Sequence, residues 1–180
     1  MKIENEMKFK AEDTAKLEEK IKDAGFVFEK ETNQEDLYFS PAHRKFAGTK
    51  KYYLRLRKQG DGNCSFAYHE VVNDLQTKEL DVEVDGCDNF IEILNNLNFT
   101  LDCVVKKNRR IFTNSFFEIV VDKVDNLGLF IELEYIGEKS ENIDSFFEEL
   151  IKNLGLSKKN LVAGVGYPDM LMEKLSQKND

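Results

Sequence analysis

Polar and apolar positions alternate along the first ten residues, Met1 to Lys10. Glu4, Glu6 and Lys8 stand at every second position, with Ile3, Met7 and Phe9 in the other set and Asn5 as the one polar interruption. Alternate side chains of a β-strand share a face, so this stretch predicts a strand with one charged and one apolar side. The same division recurs. Lys50 to Lys58 places Tyr53, Arg55 and Arg57 against Tyr52, Leu54 and Leu56, and Thr77 to Val84 places Glu79, Asp81 and Glu83 against Leu80, Val82 and Val84. Gly60-Asp61-Gly62-Asn63 is a strong turn, which makes Cys64 to Val72 the returning strand of a hairpin. A second hairpin runs Phe116 to Lys123 and Leu129 to Ile136 around Asp125-Asn126-Leu127-Gly128. It sets Glu118, Val120 and Asp122 on one face of its first strand, and Glu132 and Glu134 on one face of its second. Shorter strands are expected at Asp36 to Phe39 and Val104 to Phe112, the latter with Lys107 and Arg109 on one face. Phe28 leads into a polar loop, and Pro41 to Thr49 reads as a loop as well.

Helical spacing appears in four places. Asp13 to Ala24 repeats Leu17, Ile21 and Ala24 before Gly25; Asp88 reads as the cap of a helix carrying Phe90, Ile91, Leu94 and Leu97. Glu141 to Leu154 carries Ile143, Phe146, Phe147, Leu150, Ile151 and Leu154 before Gly155, and Pro168 suits the first turn of a terminal helix to about Ser176. A carboxylate-bearing strand, a helix and a returning strand occur at the start and again from Thr77, a weak internal duplication.

Bulk properties narrow the classes. The 180 residues suffice for one domain with a real core, and 1–180 is read as a single domain. A formal net charge of −8 argues against a nucleic-acid binder held by phosphate contacts alone. No apolar run is long enough to span a bilayer, and the charged N-terminus is no signal peptide. Cys64, Cys87 and Cys103 are widely spaced and odd in number, which predicts reduced thiols in a cytoplasmic protein, neither a zinc knuckle nor a disulfide framework.

The like-facing charges leave two architectures open. An open sheet would hold them in water, the commoner fate of charged strand faces. A closed sheet would gather them into a wet tunnel, where many carboxylates together are costly unless cations compensate them. A polyanion with divalent metal would satisfy both signs: arginine and lysine grip phosphate oxygens, and carboxylates are hard ligands for Mg²⁺ or Mn²⁺.

The order of the pieces resembles one family. Glu4-x-Glu6-x-Lys8 is similar to the motif that opens CYTH proteins, the triphosphate tunnel metalloenzymes. Asp36-x-Tyr38-Phe39, Leu54-Arg55-Leu56-Arg57, Lys78-Glu79-Leu80-Asp81-Val82-Glu83, Lys107-x-Arg109, the stretch from Asp122 to Glu134 and Gly166-Tyr167 followed by Leu171 resemble the family's later segments in order. Length and ordering point to its class IV adenylyl cyclase branch. The resemblance implies an α+β fold: a closed eight-stranded antiparallel β-barrel with helices outside, binding a triphosphate with Mg²⁺ or Mn²⁺. It implies Lys8, Arg55, Arg57, Lys107 and Arg109 as phosphate ligands and Glu4, Glu6, Glu132 and Glu134 as metal ligands. Glu4, Glu6, Lys8 and Asp122 become the catalytic set, with Lys78, Glu79, Asp81, Glu83 and His69 as further candidates. The partner implied is ATP or a similar small triphosphate, with no nucleic acid and no membrane, in a monomer or a homodimer that buries Met170, Leu171 and Leu175.

Some positions depart from the pattern. Tyr68-His69-Glu70-Val71 stands where the family carries Tyr-Lys-Gly-Pro, Lys78 where arginine is common, and Gly166 where a small polar residue precedes the tyrosine. His69 replaces a permanent cation with a group mostly neutral at pH 7. Three functions therefore stay open: cyclisation of ATP to cyclic AMP and pyrophosphate; hydrolysis of inorganic, thiamine or nucleoside triphosphate; and polyphosphate or nucleotide binding without turnover.

Overall fold

The fold is taken from a computed structural model that describes residues 2–43, 52–138 and 142–177. Its strands are β1 (Lys2–Ala11), β2 (Val27–Pro41), β3 (Tyr52–Gln59), β4 (Cys64–Val71), β5 (Gln76–Glu83), β6 (Phe99–Thr113), β7 (Phe117–Val124), β8 (Gly128–Tyr135) and the two-residue β9 (Leu161–Val162). Helices α1 (Thr14–Asp23), α2 (Cys87–Asn96), α3 (Ile143–Leu154) and α4 (Tyr167–Ser176) interrupt and follow them. The strands pair antiparallel in the order β5-β4-β3-β2-β6-β7-β8-β1, and β1 then pairs with β5 through Lys2↔Glu79 to Asn5↔Gln76. That last ladder closes the sheet into an eight-stranded barrel. β9 adds to the free stretch of β1 at Lys8↔Val162.

The strand order is unchanged when β1–β4 are exchanged with β5–β8. Each half contains a strand, a helix and three strands, β1 pairs with β5, and β2 pairs with β6. The faint sequence duplication is thus a two-fold repeat in topology. It also explains a length that periodicity misses: β2 and β6 are both 15 residues long and pair along nearly their whole length. The stretch after Phe28, expected as a polar loop, is strand; its polar side chains face water up to Asn33, with Gln34 buried, while its backbone groups are held by β6. The short strand expected at Asp36 to Phe39 is the inner end of β2, and β6 starts at Phe99, ahead of Val104.

Helices clad the barrel's outer wall. Asp13 caps α1 by accepting from the Ala15 and Lys16 amides, and Gly25 turns the chain out at φ 86°. α1 and α3 press Leu17, Ile21, Phe147, Ile151 and Leu154 onto Phe9, Phe112, Ile119, Ile131 and Leu133. α2 sets Leu94 against Leu37, Phe39 and Leu56. Asp88 is not its cap. Gly86 occupies that position in the left-handed region, and Asp88 instead accepts from Lys58 Nζ at 2.7 Å. Leu97, expected on the buried side, is exposed at the helix end, and Leu80 and Val82 on the outer face of β5 are exposed as well.

A third cluster lies within the barrel. Tyr38, Cys103, Val105, Val124 and Phe130 share the parity of the inward charges, and Tyr167 and Leu171 of α4 pack onto them. The terminal helix therefore plugs the barrel. Leu171 is spent on this contact and is not offered to a second chain, while Leu175 stays exposed. Expectations for Arg44 to Thr49, Lys50 and Glu141 fall outside the described residues.

The cysteines correct the sequence expectation. Cys64 and Cys87 form a disulfide with Cα atoms 5.9 Å apart, and Cys103 is free and buried. Their 23-residue separation hides the contact, because the β4–β5 hairpin folds the start of α2 back onto the start of β4. A loop of that size is worth about 3 kcal/mol of stability by chain entropy. Adding reductant, or changing Cys64→Ala together with Cys87→Ala, is expected to lower the melting temperature by about 6–12 °C; an unchanged melting curve would place two thiols there.

Candidate functional site

The odd–even alternation of the strands sends the charged positions inward. They line one cavity of about 300 Å³ together with residues of the β4–β5 turn and the segment before α4. Glu4, Glu6 and Lys8 reach it from β1, Arg55 and Arg57 from β3, His69 from β4, Glu79 and Asp81 from β5, Lys107 and Arg109 from β6, and Glu132 and Glu134 from β8. Asp122 lies beneath it, fully buried. Two candidates fall elsewhere. Lys78 has the opposite parity on β5 and meets Glu70 at 3.6 Å, and Glu83 is exposed at the far end of the strand, outside the cavity lining.

Acids and bases interlock. Arg109 forks onto Asp122 through Nε at 2.8 Å and Nη2 at 2.5 Å, and its Nη2 also donates to Glu132 at 2.7 Å. Arg57 forks onto Asp36 at 2.6 and 2.8 Å, and Lys107 Nζ lies 3.1 Å from the same carboxylate. Asp36 is fully buried and anchors two bases. The sequence marks it only as part of a motif, since an acid between Glu35 and Leu37 gives no sign of its partners. Tyr167 joins the network by donating to Asp122 at 3.1 Å, with Lys8 Nζ 4.5 Å above its ring. Arg55 Nη2 donates to Glu79 Oε1 at 2.9 Å, and His69 Nε2 lies 3.1 Å from that oxygen. Arg55 Nε is a buried donor with no protein acceptor.

The balance of sign is uneven. Among the described residues, eight carboxylates line the cavity (Glu4, Glu6, Asp74, Glu79, Asp81, Glu118, Glu132 and Glu134) against five bases (Lys8, Arg55, Arg57, Lys107 and Arg109). The excess shows in the titration of the groups. Burial, with the Glu134 and Glu79 carboxylates beside it, pushes Glu4 up to about 7; burial and Glu132 do the same to Glu6. Glu79 runs the other way: burial opposes its charge, but His69 and Arg55 pull it down to about 2. Burial also opposes the charge of Glu132, yet Lys8 and Arg109 hold it below the usual carboxylate range. Burial and Arg109 lower Lys107 to about 8, and burial and Arg55 keep His69 below its ordinary value.

Two ammonium groups sit among the acids. Lys2 Nζ stands 3.0 Å from Glu4 and 2.7 Å from Glu134, and Lys8 Nζ stands 3.4 Å from Glu6 and 3.1 Å from Glu132. Among the described residues, no three carboxylate, imidazole or thiol groups converge as a ready metal site.

A hollow antiparallel barrel lined by opposed acids and bases defines the class. The chain belongs to the CYTH domain family, whose pattern matches residues 2–165. It is 34% identical over 167 residues to the Methanocaldococcus jannaschii protein MJ0240, provisionally named an adenylate cyclase, covering 89% of this chain and 94% of that one. Among solved structures it resembles PH1012 of Pyrococcus horikoshii at 26% identity and TM-score 0.78, over 88% of this chain and 94% of that chain. It also resembles PH1819 of the same organism at 25% identity and TM-score 0.82, over 95% and 99%.

The raised carboxylates give a pH-dependent prediction. With folded values near 7 against an ordinary 4.5, Glu4 and Glu6 hold protons in the folded state that the unfolded chain releases between those values. Their charge costs stability increasingly as pH rises through that window. Glu6→Gln is therefore expected to leave the melting temperature of the metal-free protein nearly unchanged at pH 5 and to raise it by about 2–4 °C at pH 8. Differential scanning calorimetry checks this; an equal shift at both values would contradict it.

Proposed function

We propose that this chain is a metal-dependent triphosphate-processing enzyme of the class IV adenylyl cyclase kind, converting ATP to cyclic AMP and pyrophosphate. The observation that carries the reading is the convergence, among the described residues, of five bases and seven carboxylates from separate strands, with Asp74 of the β4–β5 turn, in one cavity. Neither sign alone explains the lining. A bare anion would need only the bases, and a bare cation only the acids. The name of the 34% identical relative from M. jannaschii supports the cyclase assignment.

In this reading Arg55, Arg57, Lys107 and Arg109 hold the phosphate oxygens, and the free Nε of Arg55 is a donor already waiting for one. Arg57, Lys107 and Arg109 are held from behind by Asp36 and Asp122, so their forks are positioned before the ligand arrives. Lys8 steadies charge on the departing phosphates. Glu4, Glu6, Glu132 and Glu134 fit Mg²⁺ or Mn²⁺: they are hard oxygen donors, and Glu4 and Glu6 are short of positive charge. Lys2 Nζ now sits between Glu4 and Glu134 in part of that position, on a side chain that is 62% exposed. The bound cation would neutralise phosphate charge and lower the pKa of a coordinated hydroxyl. The ribose 3′ oxygen then bonds to the α-phosphorus as the bond to the β-bridging oxygen breaks. The hydroxyl proton leaves to solvent, and pyrophosphate departs with the α–β bridging oxygen.

Purified protein incubated with ATP, inorganic tripolyphosphate and thiamine triphosphate, each with Mg²⁺ and Mn²⁺, tests the reading. Cyclic AMP with pyrophosphate is the expected product pair, and released orthophosphate would mark a triphosphatase instead. Arg57→Ala and Glu4→Ala are each expected to cut turnover at least a hundredfold, in line with the loss of one preorganised charged contact. Either variant folded and fully active would remove the site.

A further inference from the structure

One row of the inner wall contains no base among the described residues. In the paired registers Glu6 of β1 stands opposite Glu134 of β8, Glu134 opposite Glu118 of β7, and Glu118 opposite Thr113 of β6. Like charges placed directly opposite one another on neighbouring strands are destabilising. The next row is balanced: Lys8 faces Glu132, and Arg109 donates to the same carboxylate. Lys8 also reaches back to Glu6 at 3.4 Å. Glu134 gains no such relief from its own row, and Glu4 lies one inward step further along β1.

Lys2 serves these two acids from outside the row. Its direct neighbour on β5 is Glu79, but that carboxylate already has Arg55 at 2.9 Å and His69 at 3.1 Å. The Lys2 side chain runs along β1 instead, and its Nζ bridges Glu4 at 3.0 Å and Glu134 at 2.7 Å. Those are two of the four acids read above as metal ligands. An ammonium holds their oxygens at hydrogen-bond distance, whereas Mg²⁺ draws its ligands in to about 2.0–2.1 Å. One pair of carboxylates cannot close on both cations at once. The ammonium is the weaker occupant, with one charge against two, on an arm that is 62% exposed. Ion pairs so open to water contribute little.

We infer that Lys2 is a built-in competitor for the divalent cation. It screens Glu4 and Glu134 in the metal-free protein and is displaced when a metal closes on them, so it sets the concentration at which the site fills. A free monovalent cation, with no more charge than the ammonium and no tether, does not displace it. Lys2 is thereby a specificity-determining residue for cation charge. It lies outside the Glu4-x-Glu6-x-Lys8 pattern, and its role shows only in its contacts. The inference rests on the metal reading above and adds to it what the site holds before metal arrives.

Binding of Mn²⁺ alone to the metal-free protein, followed by loss of the free-ion EPR signal near neutral pH, tests this. Lys2→Gln is expected to bind Mn²⁺ about five- to tenfold more tightly than wild type, the scale of releasing two exposed ion pairs. Lys2→Arg, which keeps the charge, is expected to stay within about twofold of wild type. The same holds for Lys10→Gln, which removes a charge at the other end of β1. Adding Glu4→Gln to Lys2→Gln is expected to cancel the gain. Equal or weaker Mn²⁺ binding by Lys2→Gln, the result for a lysine that only braces the strand, would overturn the competition and leave the metal site standing. So would a gain that survives Glu4→Gln or that Lys10→Gln reproduces. No Mn²⁺ bound by either wild type or Lys2→Gln would overturn the competition and the metal site together.

Discussion

The pairing of buried carboxylates with buried bases across the lumen is the constraint on which this structure depends. Asp36 and Asp122 are the fixed points: each is wholly buried, and between them they hold Arg57, Lys107 and Arg109. Removing Asp36 would strand Arg57 and leave Lys107 only its 3.9 Å contact with Asp122 in a low-dielectric interior, which costs far more than the pair itself contributes. Around these anchors the balance tips, because among the described residues the outer layer of Glu4, Glu6, Glu118 and Glu134 has Lys8, the rim lysine Lys2 and the already paired Arg109 for relief. A lumen so charged is stable as a folded wall yet incomplete electrostatically. On the proposed reading, neither a polyanion nor a divalent cation alone settles its groups.

The barrel makes this arrangement available through repetition. The two topological halves supply the same scaffold twice, and each half turns alternate residues inward. The inward chemistry has nevertheless diverged. β3 contributes Arg55 and Arg57 where its counterpart β7 contributes Glu118 and Asp122; β4 contributes His69 where β8 contributes Glu132 and Glu134. Duplication thus built a symmetric wall, and substitution made its lining asymmetric. The α4 plug deepens the asymmetry by filling one end with Tyr167 and Leu171.

How much of this was legible follows from which interactions are local. Alternation along β1, β3, β5, β7 and β8 is a backbone property, so the inward sets Glu4/Glu6/Lys8, Arg55/Arg57 and Glu132/Glu134 could be read from the sequence. Parity also misled: Glu83 has the inward parity of Glu79 and Asp81 but lies past the cavity, and strand phase alone does not say where a cavity ends. The polar half of β2 looked like a loop because its side chains face water; only its partner β6 explains it. The role of Asp36, the seating of α4 and the Cys64–Cys87 link depend on contacts between distant segments, which spacing does not encode.

The central claim is that the acid-rich lumen admits a polyanion only in company with divalent cations. Isothermal titration of the purified protein with tripolyphosphate, once in chelator and once in Mg²⁺, tests it most directly. The account predicts heat of binding in Mg²⁺ and none measurable in chelator. Equal affinity in the two buffers would contradict it, because the five bases would then suffice without help.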